Sequence, residues 1–242
     1  MLLSVLVPAY RAELWLKEAV DSILMQDVPA GWEVEVIVGV DGCAATLAVA
    51  KMLVGPRVTV LDCKRNKGVY ITLNTLIAES NGDAFVAHGA DDVIKQKRLE
   101  VMLDMLDNRS DVSLVNTFAY KANSDMGNAQ KVSRAHDGIW LWRREAWETQ
   151  IGGYRPWRCG GDSEAHARAK HSGLHLHTVP EHLYIRRVHP EQLTSHPSTR
   201  AGAKVREDII RYIEDQNTRM IGGELPTPVI PVCHRQYTKL EF

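Results

Sequence analysis

Apolar and polar positions follow two different periods along the first part of the chain. Four short apolar runs, rich in β-branched residues and ended by turn-forming residues, predict buried strands at 3–7, 33–40, 58–61 and 84–87. Between them, apolar residues recur near helical spacing and predict helices at 14–25, 44–54 and 70–79. Strands that alternate with helices indicate an α/β fold with a mostly parallel central sheet and helices on both faces.

The pattern becomes less regular in the second part of the chain. A helix at 97–106 and a strand at 112–117 are followed by a polar stretch, 121–130, that predicts a loop or a hairpin. The remaining expected elements are strands at 138–142, 175–179 and 183–187 and helices at 143–149, 164–172 and 203–216. We interpret residues 1–220 as one domain and residues 221–242, which contain Pro226, Pro228 and Pro231, as an extended tail.

Composition and charge indicate an ordinary globular chain. Of the 242 residues, 45% are hydrophobic and 24% are charged, and the formal net charge is -1. This balance does not suggest a nucleic acid or an anionic membrane as partner. The cysteines are scattered, which favours reduced thiols over a zinc site or a disulfide framework. With no apolar run long enough to span a bilayer, and no signal peptide, we expect a soluble, cytoplasmic protein.

Acidic residues follow the predicted strands at the points where these end. Asp41 comes directly after the second strand, and Asp91 and Asp92 follow the fourth. In an open parallel sheet the carboxyl ends of the strands share one edge, which is where ligands bind. Paired carboxylates suit a hard divalent cation, whereas Asp92 could instead be the N-cap of the next helix. Together with Asp41 they suggest a nucleotide-diphosphate site without a glycine-rich phosphate loop. Neither a dinucleotide-binding glycine motif nor a P-loop is present, which disfavours a dinucleotide or P-loop enzyme.

Several segments resemble family 2 glycosyltransferases with the GT-A fold. The similar segments are Ser4-Val5-Leu6-Val7-Pro8-Ala9-Tyr10, Val38-Gly39-Val40-Asp41-Gly42, Asn66-Lys67-Gly68, His88-Gly89-Ala90-Asp91-Asp92, Gly152-Gly153-Tyr154-Arg155 and Gly160-Gly161-Asp162-Ser163-Glu164. They occur in order over about the first 200 residues, which makes the resemblance more specific than any single motif. It implies that residues 1–118 form a nucleotide-sugar-binding half and residues 119–220 an acceptor-binding half.

The resemblance also implies a role for individual residues. Asp41 would contact the base, typically uracil, or its ribose, and Asp91 would hold the ribose or a metal. Asp92 would bind the metal, Mn²⁺ or Mg²⁺, and His189 is the candidate to complete the metal shell. Asp162 would be the general base. The other residues expected at the nucleotide are Pro8, Ala9, Tyr10 and Gly68.

These roles describe metal-dependent, inverting transfer of a sugar from a nucleotide-diphosphate donor, expected to be a UDP-sugar, to an acceptor hydroxyl. The chemistry is consistent, since a divalent cation neutralises a departing diphosphate and a carboxylate removes the proton of the acceptor. Two alternatives stay open at this point: a catalytically inactive module that binds sugar nucleotides or glycans, and a nucleotidyltransferase.

The chain departs from the pattern of the family at three positions. Gly89 stands where many members carry an acid, Gly161 replaces the usual Glu before the base, and Leu73 replaces a common Arg. Glu164 could supply the missing charge or be the base itself. The acceptor stays open as a glycan, a lipid-linked glycan, a protein or a small molecule, with a modified DNA base as a remote alternative. A homodimer is also left open.

Overall fold

The computed structural model describes residues 1–134, 137–224, 229–230 and 237–240. The strands are β1 (Leu2–Ala9), β2 (Glu33–Asp41), β3 (Val58–Cys63), β4 (Ala84–Ala87), β5 (Val93–Ile94), β6 (Val112–Ala122), β7 (Gln130–Val132), β8 (Leu141–Arg143), β9 (His175–Arg187) and β10 (Thr238–Leu240). The helices are α1 (Leu16–Leu24), α2 (Ala44–Lys51), α3 (Val69–Glu79), α4 (Arg98–Asn108), α5 (Arg144–Ala146), α6 (Gly161–His171) and α7 (Lys204–Ile221). A 3₁₀ turn, Asp137–Ile139, precedes β8, and a π-helical turn, Trp147–Ile151, follows α5.

The strands of the described residues form one mixed sheet in the order β10-β3-β2-β1-β4-β8-β6-β9-β5, with β7 paired to β6. Strands β3, β2, β1 and β4 are parallel, as the βαβ pattern predicts. Strand β8 lies antiparallel between β4 and β6, and β9 runs parallel to β6. The mostly parallel α/β sheet expected from the sequence is confirmed.

Both faces of the sheet are buried, which explains the continuous apolar runs of its central strands. On β1, the side chains of Leu3, Val5 and Val7 belong to one apolar cluster with α1 and α4. Leu6, which points to the opposite face, belongs to a second cluster with α3. None of the described helices is long and apolar enough to cross a membrane.

Several segments differ from the elements expected from the sequence. The two closing strands at 175–179 and 183–187 form one strand, β9, because a register shift opposite Phe118 skips residues 180–181 and so accommodates Pro180. The strand expected at 138–142 is a 3₁₀ turn followed by β8, which pairs through only three residues. In the tail, β10 pairs antiparallel with the edge strand β3. The other residues of the tail that were expected to be extended lie largely outside the described residues.

Candidate active site

A cavity of about 410 Å³ opens at the carboxyl edge of the parallel strands. It is lined by residues from β1, β4, α3, α6 and β9, among them Pro8, Tyr70, Asp91, Asp92, Asp162 and Tyr184. Parallel pairing of β1 with β4 brings Pro8 and the two acids to the same edge. The cavity thereby joins two groups of acids that are 70 residues apart in the chain.

Asp41 lies at the same edge but anchors a neighbouring loop. Its side chain is buried, and its two carboxylate oxygens accept hydrogen bonds from the backbone N–H groups of Lys67 and Gly68, both at 2.9 Å. These bonds fix the start of α3 against the end of β2. The described residues that line the cavity do not include Asp41, Ala9, Tyr10 or Gly68. The structure therefore places these four beside the cavity rather than in its wall.

Asp92 is held by protein donors at both oxygens. Its Oδ1 accepts the backbone N–H of Arg187 at 2.8 Å, and its Oδ2 accepts the hydroxyl of Tyr184. Burial and the negative charge of Asp91 raise the pKa of the Asp92 carboxyl to about 7. Burial and the charge of Asp92 likewise raise the pKa of Tyr184 well above its ordinary value, so that its hydroxyl remains a donor.

Asp91 and His189 form a direct pair at the rim of this site. Oδ2 of Asp91 lies 2.8 Å from Nε2 of His189, whose ring is buried against Trp15 with the ring centroids 4.1 Å apart. Among the described residues, Nδ1 of His189 has no hydrogen-bond partner. The turn after β9 thus brings His189 to the acids that follow β4.

The histidine beside the acids has a different role. His88 is buried, and its Nε2 lies 3.2 Å from the carbonyl oxygen of Asp92. Burial, together with the nearby charge of Arg98, lowers the pKa of His88 to about 3. The ring is therefore neutral at physiological pH and supports the turn that carries Asp92.

The side chains at this edge fit a divalent cation that is coordinated partly by the protein and partly by a substrate. No group of three or more His, Cys, Asp or Glu side chains among the described residues is arranged to enclose a metal ion. Asp91 and His189 nevertheless lie together, with Asp92 adjacent. Mg²⁺ and similar hard cations commonly take one or two carboxylates and complete their shell with water and substrate phosphate oxygens. A partial protein shell of this kind fits such a cation.

Arg187 connects both acids to the rest of the molecule. Besides its backbone N–H bond to Asp92, its Nε donates to the carbonyl oxygen of Asp91 at 2.8 Å. Its guanidinium also pairs with Glu18 on α1 and lies over the ring of Trp15. The side chain is only 3% exposed, so this arginine acts as a buried clamp on the turn.

The two candidate bases on α6 have different surroundings. Asp162, in the first turn, is half-buried, lines the cavity and accepts a hydrogen bond from Tyr70 at 2.6 Å. Glu164 is buried and forms a bidentate ion pair with Arg168, at 2.9 and 3.0 Å, and a further bond with Arg155 at 2.9 Å. Glu164 is not among the described residues that line the cavity. This geometry favours Asp162 over Glu164 as the group that reaches a substrate.

Sequence reasoning missed Tyr70 and Tyr184, which donate hydrogen bonds to Asp162 and Asp92. Each lies within an apolar run, where an aromatic residue is normally explained by core packing. The hydroxyl of a buried tyrosine usually makes a hydrogen bond, and this rule is the signal that could have identified them. The partners themselves are 92 residues away in the chain in both cases, beyond the reach of any local pattern.

The architecture is similar to that of several solved structures. TarS from S. aureus in complex with UDP superposes with a TM-score of 0.70 at 16% identity, covering 93% of this chain and 70% of that chain. TarS with UDP-GlcNAc gives a TM-score of 0.72 at 15% identity, with 94% and 72% covered. The mannosyltransferase PcManGT from Pyrobaculum calidifontis, in complex with GDP-Man and Mn²⁺, gives 0.68 at 17% identity, with 93% and 65% covered.

At such identities the structural likeness shows the fold, which is that of GT-A glycosyltransferases. No curated protein sequence matches the chain significantly. The family model described as glycosyl transferase family 2 matches residues 4–169, well over half of the chain. The match spans both acids after β4 and the first turn of α6, and it confirms the resemblance drawn from the motifs. The chain therefore belongs to glycosyl transferase family 2 and is a glycosyltransferase.

Proposed function

We propose that this glycosyltransferase moves a sugar from a nucleotide-diphosphate donor to an acceptor hydroxyl with inversion at the anomeric carbon. A UDP-sugar is the donor that we propose first. The solved relatives support a nucleotide sugar, since the TarS structures contain UDP or UDP-GlcNAc and the PcManGT structure contains GDP-Man. Residues 1–118 are proposed as the donor half and residues 119–220 as the acceptor half.

One observation carries this proposal: a single cavity is lined by Asp91 and Asp92 at the end of β4 and by Asp162 at the start of α6. The first two carboxylates suit the leaving diphosphate through a shared cation, and the third suits the attacking hydroxyl. Single-step displacement needs these two functions on either side of the sugar. A cavity of about 410 Å³ is within the size range of small-ligand sites.

At the leaving-group side, we propose that Asp91, Asp92 and His189 hold a divalent cation, with Mn²⁺ supported by the PcManGT complex. When bound, the cation supplies Lewis-acid neutralisation of the diphosphate. Arg187 keeps the backbone of this turn in place through its bonds to both aspartates. Tyr184 occupies one oxygen of Asp92 and thereby orients its carboxylate.

At the acceptor side, Asp162 is proposed to remove the proton of the acceptor hydroxyl as that oxygen attacks the sugar. Its Oδ1 is taken by Tyr70, and among the described residues no protein donor is recorded for Oδ2. Oδ2 is therefore the oxygen available to an acceptor. No covalent enzyme intermediate is required, because one inverting step transfers the sugar directly.

For the nucleotide, we propose that Pro8, Ala9, Tyr10, Asp41 and Gly68 form the surface that receives the base and ribose. Pro8 lines the cavity, and Tyr10 is 45% exposed at the same edge. Asp41 uses its carboxylate to hold residues 67–68.

The assignment of Asp162 is tested by the substitution Asp162→Asn, which keeps the shape of the side chain and an oxygen that can accept the Tyr70 bond. We expect release of UDP from a donor such as UDP-N-acetylglucosamine, in the presence of Mn²⁺, to fall by about 10²- to 10⁴-fold, the usual contribution of a general base. A panel with UDP-glucose and GDP-mannose identifies the donor. Nucleotide release is measured at saturating donor.

Asp208→Asn is the matched control, because this exposed aspartate of α7 pairs only with Arg211 among the described residues. It should release nucleotide at the wild-type rate. Wild-type turnover in Asp162→Asn would refute the proposed base, and a wild-type protein that binds UDP without releasing it from any donor would support an inactive binding module instead.

A further inference from the structure

We propose that Tyr70 is a positioning residue that sets the orientation of the Asp162 carboxylate for proton removal, a role that rests on the proposed function of Asp162. The hydroxyl of Tyr70 donates to Oδ1 of Asp162 at 2.6 Å. A bond of this length to an ionised oxygen is among the stronger hydrogen bonds in proteins. It leaves Oδ2 as the oxygen that faces an acceptor.

Tyr70 is itself held firmly enough to transmit an orientation. It lies in the first turn of α3, is only 5% exposed, and packs its ring 5.5 Å from the ring of Tyr154. The two residues before α3, Lys67 and Gly68, are tied to Asp41 through their backbone N–H groups. The Tyr70 hydroxyl is therefore held in a fixed position relative to Asp162.

Gly161 provides the space that this arrangement needs. A Cβ built on Gly161 would lie 2.9 Å from ring atoms of Tyr70, closer than carbon atoms approach in folded proteins. The absence of a side chain there lets the tyrosine ring lie against the start of α6, directly before Asp162. Since the φ angle of Gly161 is not positive, the glycine is required for this contact and not for backbone conformation.

The hydroxyl remains a hydrogen-bond donor under working conditions. Burial, reinforced by the charge of Asp162, raises the pKa of Tyr70 well above its ordinary value. The phenol therefore stays protonated throughout the physiological range. Its bond to Oδ1 fixes the direction of the free oxygen of Asp162, and proton transfer depends strongly on such geometry.

The test is a double-substitution cycle with Tyr70→Phe and Asp162→Asn. Hydrogen bonds to ionised groups have strengths that correspond to about 10- to 100-fold in rate, so Tyr70→Phe should lower kcat for UDP release by that amount. The KM for the donor should stay unchanged, because the hydroxyl is proposed to act through Asp162 and not on the donor. In the Asp162→Asn background, Tyr70→Phe should have no further effect, since the two residues act as one unit.

A second variant disturbs the hydrogen bond between Tyr70 and Asp162 without removing a polar group. Gly161→Ala introduces a methyl group that must displace the Tyr70 ring, so it should lower kcat in the same way. Gly55→Ala is the matched control, because a Cβ there would come only within 3.9 Å of the carbonyl oxygen of Leu53. This variant should keep the wild-type kcat.

The outcomes separate this inference from the proposed base. If Asp162→Asn lowers kcat and Tyr70→Phe does not, or if both effects multiply in the double variant, the positioning role of Tyr70 is wrong and Asp162 stands. If Asp162→Asn retains wild-type kcat, the proposed base itself is wrong. A rise in donor KM with unchanged kcat in Tyr70→Phe would assign the tyrosine to donor binding and also overturn the inference.

Discussion

Gly89 lies directly beneath the carboxylates of the two acids that follow β4. A Cβ on this residue would lie 2.5 Å from Oδ2 of Asp92 and 3.0 Å from Oδ1 of Asp91. Its backbone N–H is also directed to the hydroxyl of Tyr184, at 3.3 Å. The position at which many family members carry an acid is thus occupied here by the carboxylates of its neighbours, and the glycine is part of the site.

We therefore predict that restoring an acid weakens the site. Gly89→Asp should lower the affinity for Mn²⁺ in the presence of UDP by about 10- to 100-fold, as disturbed support of metal ligands usually does. Gly89→Ala separates the steric effect from the added charge and should act in the same direction. Calorimetric titration of Mn²⁺ measures both variants. Tighter binding by Gly89→Asp would show that the added carboxylate outweighs the crowding.

At the scale of single elements, α6 illustrates how one helix turn carries two acids with separate tasks. Asp162 faces the cavity, whereas Glu164 points into the protein and joins Arg168 and Arg155. Arg168 in turn donates to the carbonyl oxygens of Ile151 and Gly153. The ion pair therefore ties α6 to the turn before it and keeps the first turn of the helix at the edge of the cavity.

We predict that Glu164→Gln destabilises the fold, because it leaves the guanidinium of Arg168, which is 1% exposed, without its charge partner. Breaking a buried pair in this way typically costs about 3–5 kcal/mol in the free energy of unfolding. Urea unfolding measures this, and UDP release per folded molecule should be largely retained. Unchanged stability together with lost turnover would instead make Glu164 the catalytic base.

The control for this variant is Glu148→Gln, which breaks a pair of the same i,i+4 spacing with Arg144. The Glu148 side chain is 59% exposed, and such surface pairs contribute only about 0.3–0.5 kcal/mol. Its unfolding curve should be close to that of the wild-type protein.

At the scale of the whole molecule, the site depends on the meeting of two parts of one sheet. The parallel strands β1 to β4 carry the proposed donor acids, and β9 returns beside β6 to bring Tyr184, Arg187 and His189 to them. A nucleotide and a metal ion that both bind where these two parts meet would stabilise the same folded arrangement. Binding of nucleotide and of metal should therefore be linked.

We predict that UDP at about 100 times its dissociation constant stabilises the protein by about 2.7 kcal/mol, a rise in Tm of about 5–10 °C for a chain of this size. The shift should be larger with Mn²⁺ and should shrink when a chelator is added. Asp91→Asn, which removes a charge from the pair with His189, should abolish the Mn²⁺-dependent part. A thermal-shift measurement with UDP and GDP tests this prediction. It also compares uracil with guanine as the nucleobase that the protein prefers.

An equal shift with and without the chelator would contradict the shared cation. Asp208→Asn again serves as the control and should keep the full Mn²⁺-dependent shift.

The sequence was sufficient for those features that depend on local patterns. Alternating apolar strands and helices predicted the parallel sheet, and the acids at strand ends predicted one functional edge, because parallel strands share their carboxyl ends. The motifs around Asp41, Asp91 and Asp162 identified the family. Less local features were missed: the continuity of β9 through Pro180 depends on a bulge opposite β6, which has no local signature.

What the sequence by itself determined is the fold class, the family and the acids of the candidate site. Only the tertiary structure decided how these acids are divided: Asp162 toward the cavity, Glu164 into a buried ion pair, and Asp92 onto Tyr184 and Arg187. It also explained why glycine stands at positions 89 and 161, where the family pattern has an acid. In the fold, a Cβ at either position would come too close to neighbouring side chains. The reason is physical, since periodicity reports which side of an element is buried, whereas hydrogen-bond partners far apart in the chain are set by how the elements pack.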